Sequence, residues 1–264
     1  YEKLININLS ADNSKAVRAI SKYSMFIGIS AILTLLLMNN LFKERDNNMW
    51  QLTYMSKNGR AYLGLVRIAD IFIISLIQHF LLYITVAFTS FILFGGLGDL
   101  YNPIQNISEF GQCTLVINKA EYLIADFLLT YLSVVVATSI IYMLMNVFRN
   151  RKNVFIGTGV FVIIEYFIYI NTESQSIYRL LKYINICNLF RINTIYMEYI
   201  NVNVFSHVVS LRYVLITAVI ILSVMMFMIS VLVYVKRYPN TEKGIMAKIS
   251  DKINAEYQKI FNNY

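Results

Sequence analysis

The sequence has little of what most soluble enzymes are built from. Two cysteines, Cys113 and Cys187, in 264 residues exclude a disulfide framework, and no CxxC or Cys/His metal spacing exists. The only histidines, His79 and His207, fall on different segments, and no HExxH is present, which argues against an intramembrane metalloprotease. A GxSxG elbow is missing. So is GxxxxGK[ST], and the chain therefore does not bind ATP in the P-loop manner. Charge is scarce: 14% of residues are Asp, Glu, Lys or Arg, where a soluble domain carries about 25%. Pro (2) and Gly (10) are few.

What is present is apolar. Hydrophobic residues make up 58% of the chain and lie in long runs, and a helix needs about 20 such residues to cross a bilayer. Five runs qualify, at about 23–42, 68–94, 120–148, 153–170 and 213–235. Every Lys and Arg lies outside these runs or at their ends, as expected if a cation at the bilayer centre costs several kcal/mol. The predicted fold is a single all-α transmembrane domain, a polytopic helix bundle. The third and fourth runs are separated by about four residues, which predicts a tight helical hairpin.

The net charge of +8 does not form one basic stripe, so it reads as membrane topology and contact with anionic lipid, not as a nucleic-acid surface. Five cations in 43–69 against one in 95–119 set the orientation by the positive-inside rule. Segments 43–69, 149–152 and 236–264 are expected to be cytoplasmic in a multi-pass plasma-membrane protein. Tyr1 then lies outside, which predicts one earlier span, six in all; a cleaved signal peptide is the alternative.

Between the spans, the outer loop 171–212 carries Ile177, Leu180, Leu181, Ile184 and Leu189 near helical spacing, which predicts one or two short interfacial or re-entrant helices. The tail 240–264 places Met246, Ile249, Ile253, Tyr257 and Ile260 at steps of three and four, an amphipathic cytoplasmic helix resting on lipid or on a partner protein. Cys113 and Cys187 both fall in outer loops. That leaves one disulfide open, and two unpaired thiols are the simpler reading.

Ionisable groups inside spans are functional candidates by default. Asp126 and Glu165 lie on the two helices of the hairpin, each near its outer end, so the two are expected close together, lining a vestibule or paired near headgroups. His79 beside Gln78 predicts an interhelical hydrogen bond, and His79 joins the candidate translocation pathway. Gly157-Thr158-Gly159 reads as a close helix contact through small residues.

The inner loop 43–66 is the most informative segment. Met49, Trp50, Thr53 and Tyr54 share one face of a short predicted helix, Ser56-Lys57-Asn58-Gly59 breaks it, and Arg60 opens a helix from Ala61 to Phe94. At about 1.5 Å per residue that helix is ~51 Å long against a bilayer core of about 30 Å, so its first turns lie at or below the inner interface. Here the sequence resembles the membrane subunit of ABC-2 type transporters. Glu44-Arg45 and Met49-Trp50-Gln51-Leu52-Thr53-Tyr54-Met55-Ser56 match that family's motif, with Asn58-Gly59-Arg60 following; Lys57 stands where the family has Pro, and Arg67 where it has Lys. The match covers about 25 residues.

The resemblance implies a coupling element docking on a separate cytoplasmic ABC ATPase that carries ATP and magnesium, with no cofactor on this chain. Met49, Trp50, Thr53 and Tyr54 would form the docking face, and Glu44, Arg45 and Arg60 the polar contacts around it. It also implies a second permease subunit and export of hydrophobic or amphipathic cargo such as a peptide, drug or lipid-like molecule. The rival readings are an amphipathic loop anchored to lipid by Trp50 and Tyr54, in a membrane sensor or assembly protein without transport activity, or an intramembrane enzyme of unfamiliar type.

Overall fold

A computed structural model describes residues 14–24, 28–37, 59–148, 150–172, 179–191, 194–197, 200–204 and 207–237. Within them the chain is predominantly helical, and four helices are long and apolar enough to cross a membrane: Ala61–Phe94, Lys119–Val147, Arg151–Asn171 and Leu211–Lys236. The full helices are α3 (Gly59–Phe94), α4 (Lys119–Val147), α5 (Arg151–Asn171) and α9 (Leu211–Arg237). These four match the second to fifth expected runs. The first, 23–42, is described only in part, by α1 (Lys15–Tyr23) and α2 (Ile29–Leu37), each of nine residues. At ~1.5 Å per residue each described stretch is about 14 Å long. The loop bearing Glu44, Arg45, Met49, Trp50, Thr53 and Tyr54 lies outside the described residues, as does the tail 240–264. Arg60 opens α3 in the backbone, and its side chain is not described.

Helix α3 is one continuous rod of 36 residues, about 54 Å, with no break where it outruns the bilayer thickness. At its far end three glycines, Gly95, Gly96 and Gly98, hold positive φ of 72°, 124° and 70°, a conformation costly for any residue with a Cβ, and turn the chain into a folded cap. Two 3₁₀ turns, Ile104–Asn106 and Ser108–Phe110, bury Ile104, Ile107 and Phe110. The Gln105 side chain donates to the Cys113 and Leu115 carbonyls at 3.0 and 2.6 Å, which fixes the loop without regular structure. Helix α4 then starts on a complete capping box: Asn118 Oδ1 accepts from the Glu121 amide at 2.8 Å, and Glu121 accepts from the Asn118 amide at 2.9 Å.

Helices α4 and α5 form the expected hairpin. Asn150 caps α5 by accepting from the Lys152 amide, and the Phe148 ring lies against Gly157, where an added Cβ would meet its Cε2 at 2.9 Å. Gly157 therefore serves a close contact within the hairpin itself. Gly159 has nothing within 4 Å of the Cβ it lacks, so the expected small-residue contact is half right: one glycine accommodates a neighbour and the other faces open space.

After α5 the segment expected to hold one or two short helices holds α6 (Arg179–Ile184), α7 (Ile186–Leu189) and α8 (Thr194–Met197). It also holds a hairpin that periodicity did not announce, β1 (Asn201–Val204) against β2 (His207–Ser210), antiparallel with Asn201 opposite Ser210. Two apolar clusters bracket the bundle. One, under the cap, gathers Val17, Ile107, Phe110, Tyr122, Leu189, Tyr196 and Leu215; the other, toward the α4–α5 link, gathers Ala31, Ile68, Ile141, Met145, Val154 and Tyr234. Helix α4 is the axis: 67% of its apolar window is buried inside the protein, against 6% for α5. Helix α5 presents Ile156, Ile163 and Ile170 outward, as lipid-facing residues do.

Candidate functional site

Between the central α4, the peripheral α5 and α9 lies a cleft of about 820 Å³. Its walls come from α4 (Val136, Ile140, Met143, Leu144), α5 (Phe161, Phe167, Ile168) and α9 (Leu222, Met226), and are apolar. Its polar groups sit together at the capped end: Glu165, Asn171 and Thr172 from the last turns of α5, and Asn185 from the turn before α7. The arrangement is an apolar slot with one polar mouth, of a size that accommodates a drug-sized or single-chain amphiphile.

Glu165 is also a structural strut. Its Oε2 accepts from the Ile186 amide at 3.0 Å, and its backbone carbonyl accepts from Asn185 Nδ2 at 2.7 Å, while Asn185 Oδ1 accepts from the Cys187 amide at 2.8 Å. These bonds satisfy the free amides at the start of α7 and pin the cap loop to α5. Burial, with the nearby Glu165 carboxylate adding to it, pushes the Cys187 thiol upward from its ordinary value. Both cysteines are free thiols, Cys113 buried and Cys187 partly so.

Asp126 is placed elsewhere. It is fully buried on α4, about 10 Å along the axis from the helix start, and faces α1 and α3. Tyr83 Oη, reaching from α3, donates to the Leu123 carbonyl at 3.0 Å and to Asp126 Oδ2 at 3.3 Å. The Ser24 hydroxyl at the end of α1 stands close to the same carboxyl, and Tyr122 Oη, one turn back along α4, donates to Ser21 Oγ at 2.8 Å. Among the described residues Asp126 Oδ1 has no hydrogen-bond partner. One turn further on, Thr130 donates to the Asp126 backbone carbonyl at 2.6 Å. Toward the cap Tyr196 packs edge-on to Tyr122 at 5.3 Å between ring centroids. Burial pushes the Tyr196 phenol up to about 12, so it remains a neutral hydroxyl near neutrality.

The expectation that Asp126 and Glu165 share a vestibule is therefore not met. Each has its own partners, since Asp126 points from α4 toward α1 and α3, and Glu165 is held on α5 by the amides of α7. His79 is fully buried and donates from Nε2 to the Phe127 carbonyl at 3.1 Å, an interhelical bond from α3 to α4. It is enclosed by the rings of Phe127 and Tyr131 at 4.9 and 5.6 Å, and like Asp126 it does not line the cleft. Gln78 accepts from Thr34 of α2 at 3.0 Å. Of the three intramembrane candidates, only Glu165 lines the cleft.

Several partners went unnamed from sequence: Tyr83, Ser24, Tyr122 and Asn185. One signal was available. Tyr122 and Thr130 stand four residues before and after Asp126, so the three share one polar stripe along the helix. Among the described residues no group of three or more His, Cys, Asp or Glu is arranged to hold a metal ion. No protein-family model, no curated protein and no solved structure matches the chain.

Proposed function

We propose that the chain is the membrane-spanning permease subunit of an ATP-driven exporter, and that the cleft between α4, α5 and α9 receives a hydrophobic or amphipathic cargo. The observation that carries this reading is the cleft itself: about 820 Å³, walled by aliphatic and aromatic side chains, with Glu165, Asn171, Thr172 and Asn185 gathered at one end. An amphiphile in a bilayer presents the complementary pattern, an apolar body with one polar end. The sequence supports the rest. A coupling loop around Trp50 with the resemblance described above, the count of cations, and the lack of a P-loop all point to five spans on this chain, that loop on the cytoplasmic side, and ATP hydrolysis on a separate subunit.

In this scheme closure of the ATPase pushes on the loop bearing Glu44, Arg45, Met49, Trp50, Thr53 and Tyr54 and on the start of α3. A rigid α3 of 36 residues passes that displacement to the bundle, and α5, the least packed span, swings to change the width of the cleft.

Two measurements test the proposal together. Affinity purification of the tagged chain in mild detergent retains a stoichiometric ATPase subunit, and Trp50→Ala combined with Arg60→Ala releases it. A diazirine-bearing alkylamine labels Ile140, Phe161 or Leu222 in proteoliposomes, and Met226→Trp, which fills the slot, abolishes that labelling. Full retention of the partner by the double variant refutes the coupling assignment. Labelling spread evenly over the outward face of α5, with none in the cleft, refutes the cargo site.

A further inference from the structure

We infer that Asp126 is the binding site of a small monovalent cation, a proton or a sodium ion, at the junction of α1, α3 and α4. The inference does not rest on the permease reading. It starts from a carboxyl group that is 0% exposed, lies inside an apolar span, and has one oxygen, Oδ1, with no hydrogen-bond partner among the described residues. An ionised carboxylate buried in that state is costly, because it has given up water and gained no opposite charge. The packing around it is nonetheless dense and specific, so something must neutralise the group.

The surrounding side chains do not. Among the described residues the groups near the Asp126 carboxyl are Ser24 from the end of α1, Tyr83 from α3, Tyr122 from α4 and Tyr196 from α8, all of them hydroxyls, while Thr130 is engaged by the Asp126 backbone carbonyl. The neighbouring ionisable groups are directed elsewhere. His79, one turn from Tyr83, gives its Nε2 to the Phe127 carbonyl. Arg212, behind Tyr196, donates to Thr114 Oγ1 at 3.2 Å and lies over the Tyr196 ring. Lys119 is seven residues back along α4, two helical turns away.

The chemistry selects the ligand. One carboxylate supplies one negative charge, so only a monovalent cation leaves the pocket neutral, and a divalent ion would restore the same penalty with the sign reversed. Hydroxyl and carboxylate oxygens are hard donors, suited to H⁺ or Na⁺ and unsuited to soft metals. The hydroxyls of Tyr83 and Ser24 stand close to the carboxyl, and they belong to two different helices. Loss of the cation therefore exposes a bare charge at a three-helix junction and favours parting of α1 and α3 from α4 so that water can enter. The occupant of this site and the packing of the bundle are thermodynamically linked.

The test uses the full chain in lipid nanodiscs at neutral pH, with aspartate isotopically labelled at the side-chain carboxyl. A bound proton gives an infrared carbonyl band of a neutral carboxylic acid that moves with the label and is lost in Asp126→Asn. A bound sodium ion gives no such band; instead, exchanging potassium for sodium raises Tm by about 3–6 °C at a tenfold excess over Kd, and the rise vanishes in Asp126→Asn. Either pattern supports the site and identifies the ion. Should Asp126→Asn fail to fold, Asp126→Glu replaces it, and the acid band then moves with labelled glutamate instead. The inference is overturned if the wild type shows neither signal, or if the signal persists unchanged in the variants.

Discussion

The sixth residue of α3 offers the sharpest check on how the helices are packed. A Cβ built on Gly64 would lie 2.7 Å from Tyr234 Cδ1 and 3.3 Å from its Cε1, closer than nonbonded carbons tolerate. The ring has no easy retreat. Tyr234 is 2% exposed, it stacks on Tyr142 at 6.4 Å with 18° between planes, and the Arg67 guanidinium lies 5.9 Å from its centroid. Relief must come from separating α3 and α9. Overpacking of this kind costs about 1–3 kcal/mol, while replacing a helical glycine by alanine returns up to ~1 kcal/mol.

Gly159→Ala supplies the reference, because it gains the same propensity where nothing lies within 4 Å. The difference between the two variants is then the clash alone, about 1–3 kcal/mol, or roughly 2–12 °C in Tm for a chain of this size. Thermal unfolding in detergent, followed by fluorescence-detected size exclusion, reads it. In a Tyr234→Ala background the sign for Gly64→Ala should reverse, since the obstacle is gone and only the propensity gain remains. Equal Tm changes for Gly64→Ala and Gly159→Ala, or strict additivity with Tyr234→Ala, would refute the packing argument.

Three other perturbations follow from the same structure. Asn118→Ala removes the side-chain acceptor of the Glu121 amide and should cost about 1 kcal/mol; the backbone amide at 118 still donates to Glu121, so adding Glu121→Ala should cost more again in the same Tm assay. Glu165→Gln keeps an acceptor for the Ile186 amide and should be mild, whereas Glu165→Ala leaves that amide unpaired at about 1–2 kcal/mol and should open loop 172–210 to limited proteolysis. In a Cys113→Ser background, maleimide labelling of Cys187 should rise with pH later than for a free thiol. Its folded-state pKa is raised, so less reactive thiolate is present at any pH below that value, and Glu165→Gln should move the curve part of the way back. Labelling that coincides with a free thiol would show that Cys187 is not desolvated.

Much of the architecture could be read directly. The apolar bodies of α3, α4, α5 and α9 follow from runs free of Lys and Arg, although α3 begins before Arg60 and Arg67 and α9 before Arg212, and the tight α4–α5 link is legible as Arg149-Asn150-Arg151-Lys152 between two such runs. Helix α1 was legible and passed over. Ala16, Val17 and Ile20 recur at helical steps and are all buried, but Lys15, Arg18 and Lys22 between them resemble a solvated segment. The cap built from 95–118 gives no periodic signal, because Ile104 and Phe110 lie in two short 3₁₀ turns with Ile107 between them, in a loop fastened by Gln105 to the Cys113 and Leu115 carbonyls. The β1–β2 pair is four residues a strand, too short for alternation to register.

The division between sequence and tertiary structure has one physical cause. Transfer of a helix into lipid is close to a sum over its own residues, so the helical class and the approximate positions of the four long apolar helices are contained in composition along the chain. Which face of each helix meets another is not, when a helix is apolar all round and periodicity carries no preference. Helices α4 and α5 are both apolar and adjacent, yet 67% of one window is buried and 6% of the other. That choice was made by small, specific fits: the Gly64 notch under Tyr234, the Tyr83 hydroxyl on Asp126, and the Glu165 carboxylate on the amides of α7. The same choice opens the cleft and isolates the buried carboxylate.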